Sequence, residues 1–151
     1  MDRMDVKILR CLRENARMNA KVIGEQVQMS VSAVIERIRK LEASGIIKRY
    51  TVLLDSKLVG KDISAFISVS LEHPKYNDGF VEAVKRNNQV VECSYVTGDF
   101  DYILKVASKS TEDLTYLLGE IKSIQGVNLT KTLIVLNTFK NDVSVLPDMP
   151  D

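Results

Sequence analysis

Residues 19–45 read Asn-Ala-Lys-Val-Ile-Gly-Glu-Gln-Val-Gln-Met-Ser-Val-Ser-Ala-Val-Ile-Glu-Arg-Ile-Arg-Lys-Leu-Glu-Ala-Ser-Gly, and their spacing decides the architecture of the amino-terminal third. Asn19 is a helix cap, with Ala20, Ile23 and Val27 falling on one side of the helix that follows. Gln28-Met29 makes a very short break, and Ser30 caps a further helix. On a wheel of 100° per residue, Val34, Ile38 and Leu41 lie within about 40° of one another and Ile35 flanks them. Ser32, Ala33, Glu36, Arg39 and Lys40 fall on the other side. Gly45 supplies the left-handed residue that ends the helix near Ser44. Two helices joined by a three- or four-residue turn, the second with small and basic residues outward, predict a helix-turn-helix.

Upstream, Asp2 or Asp5 can open a first helix in which Met4, Ile8, Leu9 and Leu12 face inward while Lys7, Arg10 and Arg13 face outward. Downstream, residues 46–54 are β-prone and carry the basic pair Lys48-Arg49, which predicts a strand leading out of the helical unit. Polarity rises from Asp55 to Lys61. The expected organisation is a three-helix unit over 1–50, a hinge over 51–61, a second domain over 62–140 and a loosely ordered tail over 141–151.

From Asp62 the periodicity changes to two. Ile63, Ala65, Ile67, Val69 and Leu71 alternate with Ser64, Phe66, Ser68 and Ser70, as in a strand with one buried face. A helix over 78–87 places Phe80, Val81 and Val84 inward. Strands over 90–97 and 102–107 flank Gly98-Asp99, a tight-turn signal. Ser110-Thr111-Glu112-Asp113 is a capping-box pattern ahead of Leu114, Leu117, Leu118 and Ile121, Gly126 ends that helix, and 127–136 reads as the last strand. The fold class is therefore α+β: a helix-turn-helix followed by a ferredoxin-like βαββαβ domain with helices on one sheet face. The other face, including Phe66, stays uncovered, which predicts self-association.

At 45% apolar and 27% charged residues, the 151-residue chain is neither disordered nor collagen-like. No run approaches the ~18 apolar residues of a membrane span. Residues 1–7 are charged where the apolar core of a secretion signal would lie, so the expected compartment is the cytoplasm. Cys11 and Cys93 form no metal or disulfide pattern, and both read as buried thiols. His73 is the single histidine, which excludes a multi-histidine metal site and disfavours a histidine triad; with Pro74 following, it reads as a loop residue. Neither catalytic residues nor a cofactor is expected.

Net charge is +1 overall, yet residues 1–50 hold 11 Lys/Arg against 6 Asp/Glu (+5) and residues 51–151 hold 10 against 14 (−4). A basic front half points to double-stranded DNA as a partner. Arg37, Arg39, Lys40, Lys48 and Arg49 are the candidate phosphate contacts, with Arg17 behind them. Base reading needs short side chains where a helix enters the major groove, and Ser30, Val31, Ser32 and Ala33 fit. Glu36 has two options, accepting from a cytosine amino group or pairing with Lys40 one turn on.

Several segments resemble the Lrp/AsnC regulators of bacteria and archaea. They are Met4-Asp5-Val6-Lys7-Ile8-Leu9, Asn15-Ala16-Arg17, residues 31–45 with Glu-Arg-Ile-Arg-Lys-Leu-Glu at 36–42, Ile46-Ile47-Lys48-Arg49-Tyr50, Val96-Thr97-Gly98-Asp99-Phe100-Asp101-Tyr102, and Gly126-Val127. The resemblance implies a nucleoid-associated, DNA-binding transcription regulator with a winged-type or plain helix-turn-helix, whose carboxy-terminal domain (RAM, ACT-like) senses an amino acid or related metabolite. It also implies homodimers that assemble into octamers. By the same resemblance Thr97, Gly98, Asp99, Phe100 and Asp101 lie near an effector, although the 97–101 stretch also reads as a plain hairpin turn; Thr130 and Thr132, on the less apolar face of the last strand, are further candidates. The family's turn often carries Tyr where this chain has Phe100. Two rival readings remain: a tetrapyrrole decarboxylase, short of histidine here, and an oligomeric sensor that does not bind DNA.

Overall fold

A computed structural model of the chain describes residues 1–150, which divide into two compact units: residues 1–53 with the segment from Lys140 onward, and residues 54–139. The first unit is built on three helices, α1 (Arg3–Glu14), α2 (Ala20–Val27) and α3 (Val31–Ala43). Each starts on a side-chain cap that satisfies otherwise orphaned backbone donors. Asp2 accepts from the Met4 and Asp5 amides at 2.8 and 3.0 Å, and Asp5 in turn accepts the Asp2 amide at 2.8 Å. Asn19 accepts from Val22 at 3.0 Å, and Ser30 from Ala33 at 3.2 Å. Ile8, Cys11, Leu12, Ile23, Val27, Val34 and Leu41 form the core, to which Ile38 adds a half-buried edge.

The turn between α2 and α3 is close-packed. Gln28 takes a left-handed conformation (φ 58°), and the Met29 amide donates to the Gly24 carbonyl at 2.9 Å. A Cβ on Gly24 would sit 2.6 Å from the Met29 carbonyl oxygen. Backbone cannot yield there as a side-chain tip would.

The strand expected over 46–54 does not form. A strand needs a partner to take its amides and carbonyls, and none pairs with this stretch among the described residues. Of its backbone amides, that of Ile47 is tied back, donating to the Leu41 carbonyl at 3.1 Å, while Val52, Leu53 and Leu54 stand exposed. The helical unit therefore carries no wing strand.

The second unit is a four-stranded antiparallel sheet of β1 (Ile63–Leu71), β2 (Val90–Tyr95), β3 (Tyr102–Ser108) and β4 (Val127–Ile134), in the order β2-β3-β1-β4. A short 3-10 turn, Pro74–Tyr76, capped by the His73 side chain, leads into α4 (Asn77–Arg86), and α5 (Thr111–Lys122) joins β3 to β4. Phe80, Val84, Leu114, Leu117 and Ile121 of the helices bury Ala65, Ile67, Val69, Tyr102, Leu104 and Val106 of the sheet. On the opposite face Phe66, Ile103, Leu129 and Leu133 remain exposed, as the alternation in β1 predicts. Gly126 (φ 88°) lies so close to the Tyr76 ring that no Cβ fits.

Three local expectations are corrected. The β2–β3 connection is not a two-residue turn: Tyr95 opposes Tyr102, leaving residues 96–101 as a loop closed by a 2.8 Å bond from the Val96 amide to the Asp101 carbonyl. Cys93 is exposed, because β2 is an edge strand with nothing beyond it, whereas Cys11 is buried and donates to Gln26 Oε1 at 3.1 Å. The capping box of α5 is half made. Ser110 accepts the Asp113 amide, but the Asp113 carboxylate turns to the Lys109 amide and the Gln89 side chain, both at 2.8 Å.

The Gly24 contact predicts that Gly24→Ala lowers the melting temperature. Helix propensity alone would favour alanine by ~1 kcal/mol, so overpacking of ~1–3 kcal/mol must outweigh it. A melting temperature equal to or above that of the parent chain would refute the steric account.

Candidate nucleic-acid interface

The hydrophobic seam of α3 fixes what it offers to water. With Val34 and Leu41 buried, Ser30, Val31, Ser32, Glu36, Arg39 and Lys40 are exposed and Ala33 is half-buried. The first turn is narrow, with Ser30 Oγ already engaged as cap and 3.2 Å from Ser32 Oγ. Glu36 and Lys40 form the i, i+4 pair at 3.4 Å, both largely in solvent, an arrangement worth only ~0.2–0.5 kcal/mol and easily exchanged for a phosphate. Arg39, Lys48 and Arg49 are exposed and enter no ion pair among the described residues.

Arg37 departs from the expectation of a phosphate contact. Its Nη1 lies 2.7 Å from Asp2 Oδ2 and 2.7 Å from Asp5 Oδ1, so the guanidinium is engaged by the start of α1. Those bonds, Asp5 first, raise the Arg37 pKa further. Asp2 is held below the usual carboxylate range, by the Asp5 amide first and then by Arg37. Sequence spacing gives no sign of this triad, because Arg37 is separated from Asp2 by 35 positions.

A second link also escapes a reading of the sequence. The Tyr50 hydroxyl donates to Glu42 Oε1 at 2.8 Å, tying the chain just after Lys48-Arg49 to the end of α3. Partial burial, then the Glu42 carboxylate, pushes the Tyr50 phenol up to about 12.

In the second unit, Thr97, Gly98 and Asp99 are exposed at the tip of the 96–101 loop and Phe100 is half-buried. Asp101 anchors the loop to β1, for its carboxylate accepts the Leu71 amide at 2.7 Å and its own amide donates to the Val69 carbonyl at 3.0 Å. Thr130 pairs with Val69 and therefore lies at the same end of the sheet as this loop, whereas Thr132 pairs with Ile67 further along. Both threonines share the face of Val69 and Ile67, which points to the helices. A separate cleft of about 420 Å³ lies between α4 and β2, lined by Val81, Val84, Lys85, Cys93, Tyr95 and Tyr102, and none of the loop residues reaches it. No cluster of metal-ligating side chains occurs among the described residues, and no helix among them is long and apolar enough to cross a membrane.

Two outcomes follow from these contacts. Asp101→Ala should destabilise the second unit by ~1–3 kcal/mol through loss of a charge-assisted bond to backbone, whereas Asp99→Ala should leave unfolding by denaturant unchanged. Equal effects would contradict the assignment. Because the folded Asp2 carboxyl sits below its unfolded value of ~3.9, its contribution is complete above that pH and is lost as pH falls through the lower folded value. An amide NMR titration should therefore show the Met4 amide, held by the Asp2 carboxylate, moving with a midpoint below ~3.9; a midpoint above it would contradict the cap.

Residues 1–42 match the AsnC-type helix-turn-helix domain and residues 64–145 the Lrp/AsnC ligand binding domain. An HTH-type transcriptional regulator of Pyrococcus horikoshii is 35% identical over 140 residues, covering 93% of this chain and 92% of that protein. The leucine-responsive regulatory protein of Escherichia coli is 33% identical over 143 residues, covering 93% and 87%. Among solved structures, a Neisseria meningitidis transcriptional regulator in complex with L-Met superposes with a TM-score of 0.92 at 30% identity, covering 96% of each chain. Escherichia coli AsnC superposes at 0.89 with 28% identity, over 97% of this chain and 99% of its own. With both halves matched in order and nearly full-length relatives at this identity, the chain belongs to the Lrp/AsnC family of helix-turn-helix transcription regulators.

Proposed function

We propose that this regulator reads specific duplex sequences with the exposed side of α3, and that an amino acid or a related small metabolite bound near the 97–101 loop adjusts that reading. The observation that carries the DNA half is the free outer face of α3, where Ser32 and Ala33 leave room at the groove and Arg39 and Lys40 stand clear of the core. Lys48 and Arg49 extend the same positive field after the helix. Arg39 is the strongest single phosphate candidate, since it projects from α3 itself and pairs with no acid among the described residues.

Support for the effector half comes from relatives: the Neisseria structure holds L-Met, and so does a feast or famine regulatory protein of M. tuberculosis. In this chain Asp99 is the loop carboxylate not engaged with backbone, suited to an ammonium group, and the neighbouring loop amides suit a carboxylate. The exposed loop tip and the uncovered sheet face fit a site completed by a second copy, in a dimer or a higher assembly. A ligand changes DNA reading only if it prefers one assembly or arrangement over another. The decarboxylase alternative gains nothing from relatives that are transcription regulators.

The test is retardation of genomic fragments selected by the chain, measured at several salt concentrations. Arg39→Ala should weaken binding and flatten the slope of log K against log salt by ~0.9, the loss of one phosphate contact. Adding L-methionine or another amino acid should shift affinity in the parent chain and not in Asp99→Asn. An unaltered slope in the first variant, or no binding to any duplex at low salt, would overturn the reading.

A further inference from the structure

We propose that Arg37 is a positioning residue for DNA reading, and that Asp2 and Asp5 thereby belong to the DNA-binding machinery although their charge repels DNA. The inference rests on the reading of α3 as the helix that enters the groove. A lone inward arginine would be ordinary, but here one nitrogen is shared between two carboxylates, each 2.7 Å away, and each carboxylate is itself fixed. Asp2 Oδ1 caps α1 through the Met4 and Asp5 amides, and Asp5 Oδ2 accepts the Asp2 amide. The capping box of α1 thus continues without interruption into the middle of α3.

The apolar contacts of α3 choose which side faces water but set the roll less finely. Val34 and Leu41 are buried, but hydrophobic burial is non-directional and tolerates a few degrees of roll about the helix axis. A guanidinium held by two oriented acceptors does not. Arg37 lies one turn from each of those core residues, so the triad sets the roll at the centre of the helix. Arg39, two positions on, points about 200° away around the axis. The roll that satisfies Asp2 and Asp5 is therefore the roll that turns Arg39 and Ser32 outward. With the Arg37 and Asp2 side chains 29% and 56% exposed, that pair contributes little to overall stability, while Asp5, 15% exposed, makes the more sheltered of the two contacts.

The opposite arrangement would be a latch, in which Arg37 leaves the carboxylates for a phosphate and the triad restrains binding. The two differ in sign. The experiment uses the full chain with Asp2→Asn and Asp5→Asn combined, since asparagine caps a helix as well as aspartate does while surrendering the charge. A duplex selected by the parent chain serves as probe across a range of salt. Positioning predicts affinity about five- to tenfold weaker with an unchanged salt slope, even though two repelling charges are gone. Arg37→Gln should match that loss, again at unchanged slope. Tighter binding by the double variant, a slope flattened by ~0.9 in Arg37→Gln, or parent-like affinity in both would overturn the proposal. If either variant melts early, Asp2→Asn alone should show a smaller loss of the same sign, and parent-like or tighter binding there counts against positioning. Failure of the parent chain to bind any duplex would instead remove the underlying DNA reading, so the two failures are distinguishable.

Discussion

Burial of Val34 and Leu41, with Ile38 beside them, is the constraint on which the rest depends. A helix of 13 residues that commits one side to a core has only the other side to offer. Here that other side holds small residues at the start and cations further on. The same seam requires α2 to come close at the turn, which is why a glycine sits at position 24. Packing, turn chemistry and surface charge thus lead to one consequence: an exposed, positively charged helix face with a narrow leading end.

The second unit obeys a parallel rule with a different outcome. Its two helices cover one face of a four-stranded sheet and leave the other to solvent, where Phe66 opposes Leu133. Isolated apolar side chains on a surface need no explanation, but a row of them across neighbouring strands is what the proposed second copy would cover. The loop at residues 96–101 is locked to β1 by Asp101 through two bonds. That leaves Asp99 and its neighbours projecting from a firm base.

Local periodicity makes most of this legible in the sequence. The alternation in β1, the caps at Asn19 and Ser30 and the Leu114–Ile121 spacing each depend on residues a few positions apart. What escapes is non-local. Arg37 looks like any outward cation until the chain brings Asp2 and Asp5 beside it, and Tyr50 reveals its bond to Glu42 only once α3 ends where it does. Residues 46–54 have strand-forming side chains, yet pairing needs a partner that no local pattern guarantees. Cys93 departs from its expected burial for a related reason, since edge position follows from strand order and not from the residues around it. The loop candidates are reached through resemblance alone, and the geometry divides them, giving Asp101 to the scaffold and leaving Asp99 free.

The central claim is that the outer face of α3 meets DNA. Its most direct measurement is the set of backbone amide shifts across residues 1–53 as a selected duplex is titrated into the full chain. The account predicts the largest changes at Ser30, Ser32, Ala33 and Arg39, with the buried Ile8 and Ile23 little altered. Changes confined to α1, or none in α3, would contradict it.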